Sequence, residues 1–217
     1  MHRLLMDIYQ KLYKAYGPRH WWPGETPFEV MVGAILTQNT AWQNVEKAIA
    51  ALKRKGLLHP AQIHQIRESE LAALIKSSGY YRIKARRLKA FVSFLFEAYR
   101  GDIHLMKREK GRRIREKLLE VNGVGPETAD SILLYGLEKP VFVVDAYTKR
   151  ILSRHGIIDE KASYEEVQSL FMDHLPHDEK LFNEYHALLV HLGKNVCKKR
   201  PECDKCPLEG MEHSILK

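Results

Sequence analysis

Leu118-Leu119-Glu120-Val121-Asn122-Gly123-Val124-Gly125-Pro126-Glu127-Thr128-Ala129 is the stretch that decides how this chain folds. Gly123 and Gly125 permit positive φ and a tight reversal of the chain. Pro126 has no N–H to lose at the first position of a helix. Arg112 to Glu120 before the reversal and Pro126 to Tyr135 after it carry helical apolar spacing, so the stretch reads as two helices joined by a sharp hairpin. The free amides of Asn122, Gly123, Val124 and Gly125, with the start of the next helix and Thr128, form a concave donor site suited to a phosphate. An ordinary helix–turn–helix corner, with its glycines serving packing, is the alternative.

Outward from the hairpin the period stays helical. Leu4, Leu5, Ile8, Tyr9, Leu12, Tyr13 and Tyr16 form an amphipathic stripe that Gly17-Pro18 stops. Thr26 and Pro27 open a second helix running to Leu36, and Thr40 is placed to cap a third. Further helices are expected over Ser69 to Lys76, Ile83 to Tyr99, Ala146 to Arg154, Tyr164 to Leu175 and Glu179 to Leu192. Val141 to Val144 is apolar and β-branched, but four residues without a partner strand read as a buried connection. The expected class is all-α, with about ten helices.

Composition narrows the function classes. The 217 residues are 45% hydrophobic, with 20 aromatics, which excludes disorder as the main state. No apolar run approaches the ~18 residues of a membrane helix, and the amphipathic start is unlike a signal peptide. A cytoplasmic protein that does not engage membranes is expected. The net charge of +8 favours a polyanionic partner. From Arg82 to Lys117 there are thirteen Lys or Arg against four Asp or Glu, just ahead of the hairpin. That run is either a solvated helix face or a phosphate-binding surface. Asp145 follows the apolar connection and opens a helix, as an N-cap, a placed catalytic carboxylate, or both.

The hairpin followed by Val144-Asp145-Ala146-Tyr147 resembles the helix–hairpin–helix/Gly-Pro-Asp superfamily of DNA base-excision glycosylases, which includes endonuclease III. Gly33-Ala34-Ile35-Leu36-Thr37-Gln38-Asn39-Thr40 and Ser78-Gly79-Tyr80-Tyr81-Arg82-Ile83-Lys84-Ala85 extend the likeness. The resemblance implies two helical lobes with a cleft between them, one over 24–135 and the other over 1–23 plus 136–217. It implies damaged double-stranded DNA as partner, Asp145 as the catalytic carboxylate and Gln38 filling the hole left by a flipped base. A prokaryotic, nucleoid-associated monomer is expected.

Bifunctional members carry a lysine nucleophile immediately before the Thr-Ala of the motif. Here Glu127 stands there, and a carboxylate cannot form a Schiff base. A monofunctional glycosylase that leaves an abasic site is therefore expected. Trp21-Trp22-Pro23, with Trp42 four residues after Gln38, resembles the 3-methyladenine DNA glycosylase branch, whose aromatics line the base pocket. Trp42 is then the stacking residue, Trp21 and Trp22 are pocket walls and Lys194 lines the pocket. Core and staple roles for the tryptophans, and a surface role for the lysine, are the plainer readings. Excision of oxidised or mismatched bases, or DNA binding without catalysis, are the alternative functions.

The three cysteines, Cys197, Cys203 and Cys206, crowd one loop over 197–213. They resemble a four-cysteine [4Fe–4S] loop whose last position is here Glu212, beside His213. A cluster completed by His213 or Glu212, a Cys₃His zinc site and a loop without metal all stay open.

Overall fold

The structure, a computed structural model, describes residues 1–211. The chain starts with α1 (His2–Tyr16), α2 (Pro27–Leu36), α3 (Trp42–Arg54), α4 (Pro60–Gln65) and α5 (Glu68–Leu74). It continues with α6 (Tyr81–Tyr99), α7 (Ile103–Arg108), α8 (Gly111–Leu119) and α9 (Pro126–Ser131), the last running into a π-helical turn over Ile132–Gly136. Helices α10 (Ala146–Arg154), α11 (Tyr164–Met172) and α12 (Glu179–Asn195) complete it. The described residues contain no strand, and the protein is all-α. None of these helices is long and apolar enough to cross a membrane.

The chain divides into two compact units. Pro23–Lys139 is one continuous unit, and Met1–Trp22 joins with Pro140 onward to make the other. In the continuous unit α2 is the hub. Every residue from Phe28 to Leu36 is buried, and α3, α6, α9 and the π turn pack around it. Its start is built as the sequence suggests: the Thr26 side chain accepts from Glu29 N at 3.1 Å, with Pro27 in the first position. α6 contributes Ala85, Leu88, Val92, Leu95 and Tyr99 along one stripe. One helix cap differs from the sequence reading. Ala41, not Thr40, caps α3, and the Thr40 hydroxyl accepts from the Asn44 side chain at 3.3 Å. The short helices α4 and α7 carry too few turns to show a period.

The discontinuous unit packs α1 and α10 on α12. Leu5, Ile8 and Leu12 of α1 are buried, and the Tyr185 hydroxyl donates to Leu5 O at 2.8 Å. Phe142 meets Phe171 face to face and both Phe182 and Tyr185 edge-on. Val141–Val144 is a buried connection and not a strand because side chains of α11 serve its backbone. Phe142 O accepts from Gln168 Nε2 at 2.7 Å, and Val144 N–H points to the Tyr164 hydroxyl at 3.4 Å. The connection delivers Asp145 to the head of α10.

Candidate active site

In the hairpin only Gly123 needs its glycine for conformation, at φ +83°. Gly125 sits at φ −94°, ψ 178° as the N-cap of α9, a geometry open to any residue. What its missing side chain leaves is space: a Cβ there would meet nothing within 4 Å. Asn122 and Gly125 are exposed while Val121 and Val124 are buried, so apolar residues anchor the loop from below. Beneath it Arg115 grips the fully buried Asp130 with two bonds, 2.7 and 3.1 Å, tying α8 to α9.

Gln38 belongs to this assembly. Its Nε2 donates to Gly123 O at 3.0 Å and to the Thr128 hydroxyl at 2.9 Å, and its Oε1 accepts from Arg87. Arg87 also lies across Gly123, where a Cβ would come within 2.3 Å of its Cγ. The segment carrying Gln38 is held from below by Lys84. That side chain is buried, and its ammonium donates to Leu36 O at 2.8 Å and Ser78 O at 2.6 Å. Burial first, and the Arg87 charge second, bring the Lys84 pKa down to about 8. Nothing local in the sequence gives Lys84 this role or marks Arg87.

In the discontinuous unit Asp145 is the N-cap of α10. Its Oδ1 accepts from Thr148 N at 2.7 Å, and its carboxylate faces the positive end of that helix. Its side chain keeps 12% of its surface exposed, and Oδ2 lies 3.7 Å from Nε2 of the buried His186. A hydrogen-bonded, accessible carboxylate at a helix start is equipped to stabilise positive charge developing on a substrate. His186 escaped the sequence reading because an isolated histidine in an apolar helix reads as core.

Residues 32–177 match the family described as HhH-GPD superfamily base excision DNA repair protein, a span that takes in Gln38, the hairpin and Asp145. The chain belongs to the HhH-GPD superfamily. A protein of Methanocaldococcus jannaschii, provisionally named a DNA repair glycosylase, is 49% identical over 95% of this chain and 94% of its own. Endonuclease III of Thermotoga maritima is 32% identical over 95% of this chain and 91% of its own. Among solved structures, the H. pylori 3-methyladenine DNA glycosylase MagIII bound to 1,N6-ethenoadenine superimposes with a TM-score of 0.74. It is 29% identical and covers 89% of this chain and 96% of that one. The reaction class that comes with HhH-GPD membership is DNA glycosylase chemistry in base excision repair.

The aromatic residues of this HhH-GPD protein fall in both units. Trp42 begins α3 half-buried, its indole N–H donating to Glu46 Oε1 at 2.8 Å. Trp21 and Trp22, also half-buried, belong to the other unit with ring centroids 5.3 Å apart and planes tilted by 52°. Lys194 is exposed in the last turn of α12. Glu127 stands exposed in the first turn of α9.

The cysteine loop is fastened by arginines. Arg150 donates to Gly193 O and Cys197 O at 2.7 and 2.9 Å, and Arg154 to Lys198 O and Lys199 O at 2.6 and 3.1 Å. Arg154 also reaches Cys197 Sγ at 3.3 Å. Burial raises the Cys206 thiol pKa. The Leu208 amide opposes that shift, while Cys197 and Cys203 nearby add to it. The thiols thus share one neighbourhood, yet among the described residues no three His, Cys, Asp or Glu side chains are arranged to hold a metal. Three cysteines also fall one short of a four-thiolate cluster. Glu212 and His213, the expected fourth position, lie outside the described residues. Cys197, Cys203 and Cys206 are the described side chains that would hold a metal there.

Proposed function

We propose that this protein is a monofunctional glycosylase that excises a cationic, alkylated purine of the 3-methyladenine kind from duplex DNA, leaving an abasic site. The observation that carries the reading is Asp145, a carboxylate pinned through one oxygen to the Thr148 amide at the head of α10. As the N-glycosidic bond stretches, the sugar becomes cationic, and the negative charge of Asp145 stabilises it and orients water for attack. An alkylated purine already carries positive charge and leaves without further protonation. No step passes through a metal.

Trp42 supports the substrate class. Its N–H donates to the Glu46 carboxylate, which makes the indole face richer in electrons. Stacking a cationic base there is worth ~0.5–2 kcal/mol. Trp21, Trp22 and Lys194, in the discontinuous unit, are assigned to recognition of the base in this reading. The open space above Gly125, with the amides of Asn122 to Val124 around it, admits a DNA phosphate. Gln38 leaves Gly123 and Thr128 to occupy the gap made by the flipped base. Glu127 offers no amine for a Schiff base, so the abasic product is released uncleaved.

The test is base release from methylated genomic DNA by wild type and Asp145→Asn side by side. Asparagine caps a helix as well as aspartate does, so the variant keeps α10 while losing the charge. Release of 3-methyladenine by wild type, slowed at least about 10²-fold in the variant, supports the reading. Wild type that releases only thymine or oxidised pyrimidines overturns the substrate class. Borohydride trapping of wild type on DNA overturns the monofunctional assignment.

A further inference from the structure

Asp145 has a second neighbour that the reaction above leaves without a task. His186 stands in the middle of α12, 6% exposed, with Phe142 edge-on to its ring at 6.4 Å and 89°. Its Nε2 lies 3.7 Å from Asp145 Oδ2, longer than a hydrogen bond, whereas Oδ1 is bonded to Thr148 N at 2.7 Å. The two carboxylate oxygens therefore have different neighbours on different helices. A single bond at Oδ1 leaves the carboxylate free to swing, because χ2 of aspartate is a broad torsion with no sharp staggered minima. Burial lowers the His186 pKa, partly opposed by Asp145, so the ring is neutral at neutral pH. A neutral imidazole orients a carboxylate without cancelling its charge, which an ammonium or guanidinium would do.

We propose that His186 is the positioning residue of Asp145, its Nε2–H turned to Oδ2 as the second anchor that fixes the carboxylate plane against the cationic sugar. The inference rests on Asp145 being the working carboxylate. The 3.7 Å separation closes to hydrogen-bond length when substrate loads, as catalytic hydrogen bonds that are long in ligand-free enzymes commonly do. His186 touches no reacting atom; it acts through Asp145.

Two substitutions separate positioning from packing. His186→Gln keeps an N–H close to the place of Nε2, and His186→Leu fills similar volume without it. Single-turnover base release and lesion-DNA affinity are measured for both, beside wild type and Asp145→Asn. The expected result is a rate about 10–100-fold lower in the leucine variant, the scale of a misplaced catalytic group. Its DNA affinity should stay unchanged, and most of the rate should return in the glutamine variant. An active wild type with an equally active leucine variant overturns the positioning role alone. Wild type that releases no base of any kind overturns the function reading, and the positioning role falls with it. If the leucine variant does not fold, imidazole ¹⁵N spectra of wild type decide. A proton on Nε2 whose exchange quickens in Asp145→Asn supports the proposal, and a bare Nε2 overturns it.

Discussion

Gly193 of α12 marks a close approach to α10 that can be tested. A Cβ at this position would sit 2.6 Å from both Cβ and Cδ1 of Tyr147 on α10. Carbon atoms in contact rest at ~3.5–4.0 Å, so Gly193→Ala requires α10 and α12 to part by about 1 Å. Tyr147 cannot evade by rotating, since its Cβ is fixed to the backbone. Two terms compete. Alanine in a helix interior gains about 1 kcal/mol over glycine, whereas overpacking costs about 1–3 kcal/mol, occasionally more. The contact lies on the backbone side of Tyr147, which puts the cost at the upper end. A net loss of about 1–2 kcal/mol is expected, or a Tm lower by roughly 2–8 °C for a chain this long. The larger effect should be on rate. Asp145 caps the same helix two residues before Tyr147, and a displacement of about 1 Å there costs up to ~10²-fold in the chemical step. Calorimetry and single-turnover base release measure the two together. A Tm that rises, as helix propensity alone demands, with an unchanged rate would refute the close-packing account.

Two further perturbations address the continuous unit. Lys84 carries a folded-state pKa of about 8 against an ordinary value of 10.5. Between those values the unfolded chain holds more protons, so folding gains stability as pH rises through that window. Urea unfolding of wild type and Lys84→Met should therefore show wild type's advantage widening from pH 7 to pH 10, as its amine, still a donor to Leu36 O and Ser78 O, sheds its charge. It should reach about 2 kcal/mol, the scale of leaving two buried carbonyls unmet. A gap that stays constant or narrows would count against it. Gly125→Asp places a carboxylate in open space at an ordinary φ, so Tm should stay level. DNA affinity should fall at least about tenfold through repulsion of a phosphate, and equal affinity by titration would remove the hairpin from the DNA interface.

How much was legible in the sequence follows from how local each determinant is. The Thr26-Pro27 start of α2 is written in four consecutive residues, Thr26 to Glu29. The hairpin needs little more, since Gly123 and Pro126 constrain the backbone on their own. Thr40 misled because an N-cap residue one step upstream offers the same chemistry, and its hydroxyl went to Asn44 instead. Arg87 and His186 were invisible for another reason. Their partners, Gln38 and Asp145, lie 49 and 41 positions away, and nothing periodic marks a polar residue whose partner only the tertiary fold supplies. The described cysteine loop shows the converse. Spacing suggested a metal, while its described anchoring falls to Arg150 and Arg154 from α10.

The division of the chain also orders its birth on the ribosome. Pro23–Lys139 is contiguous and complete once Lys139 has emerged, its hub helix α2 ahead of the rest of that unit. The other unit is split around it, and α1 waits for α12, whose Tyr185 meets Leu5 across 180 positions of chain. A loop of that length is slow to close, although lengthening it further adds little to its entropy. Translation thus yields the half with the hairpin before the half with the carboxylate. A nascent chain stalled before α12 can present the hairpin's amides while Asp145 still lacks the helix that shelters it.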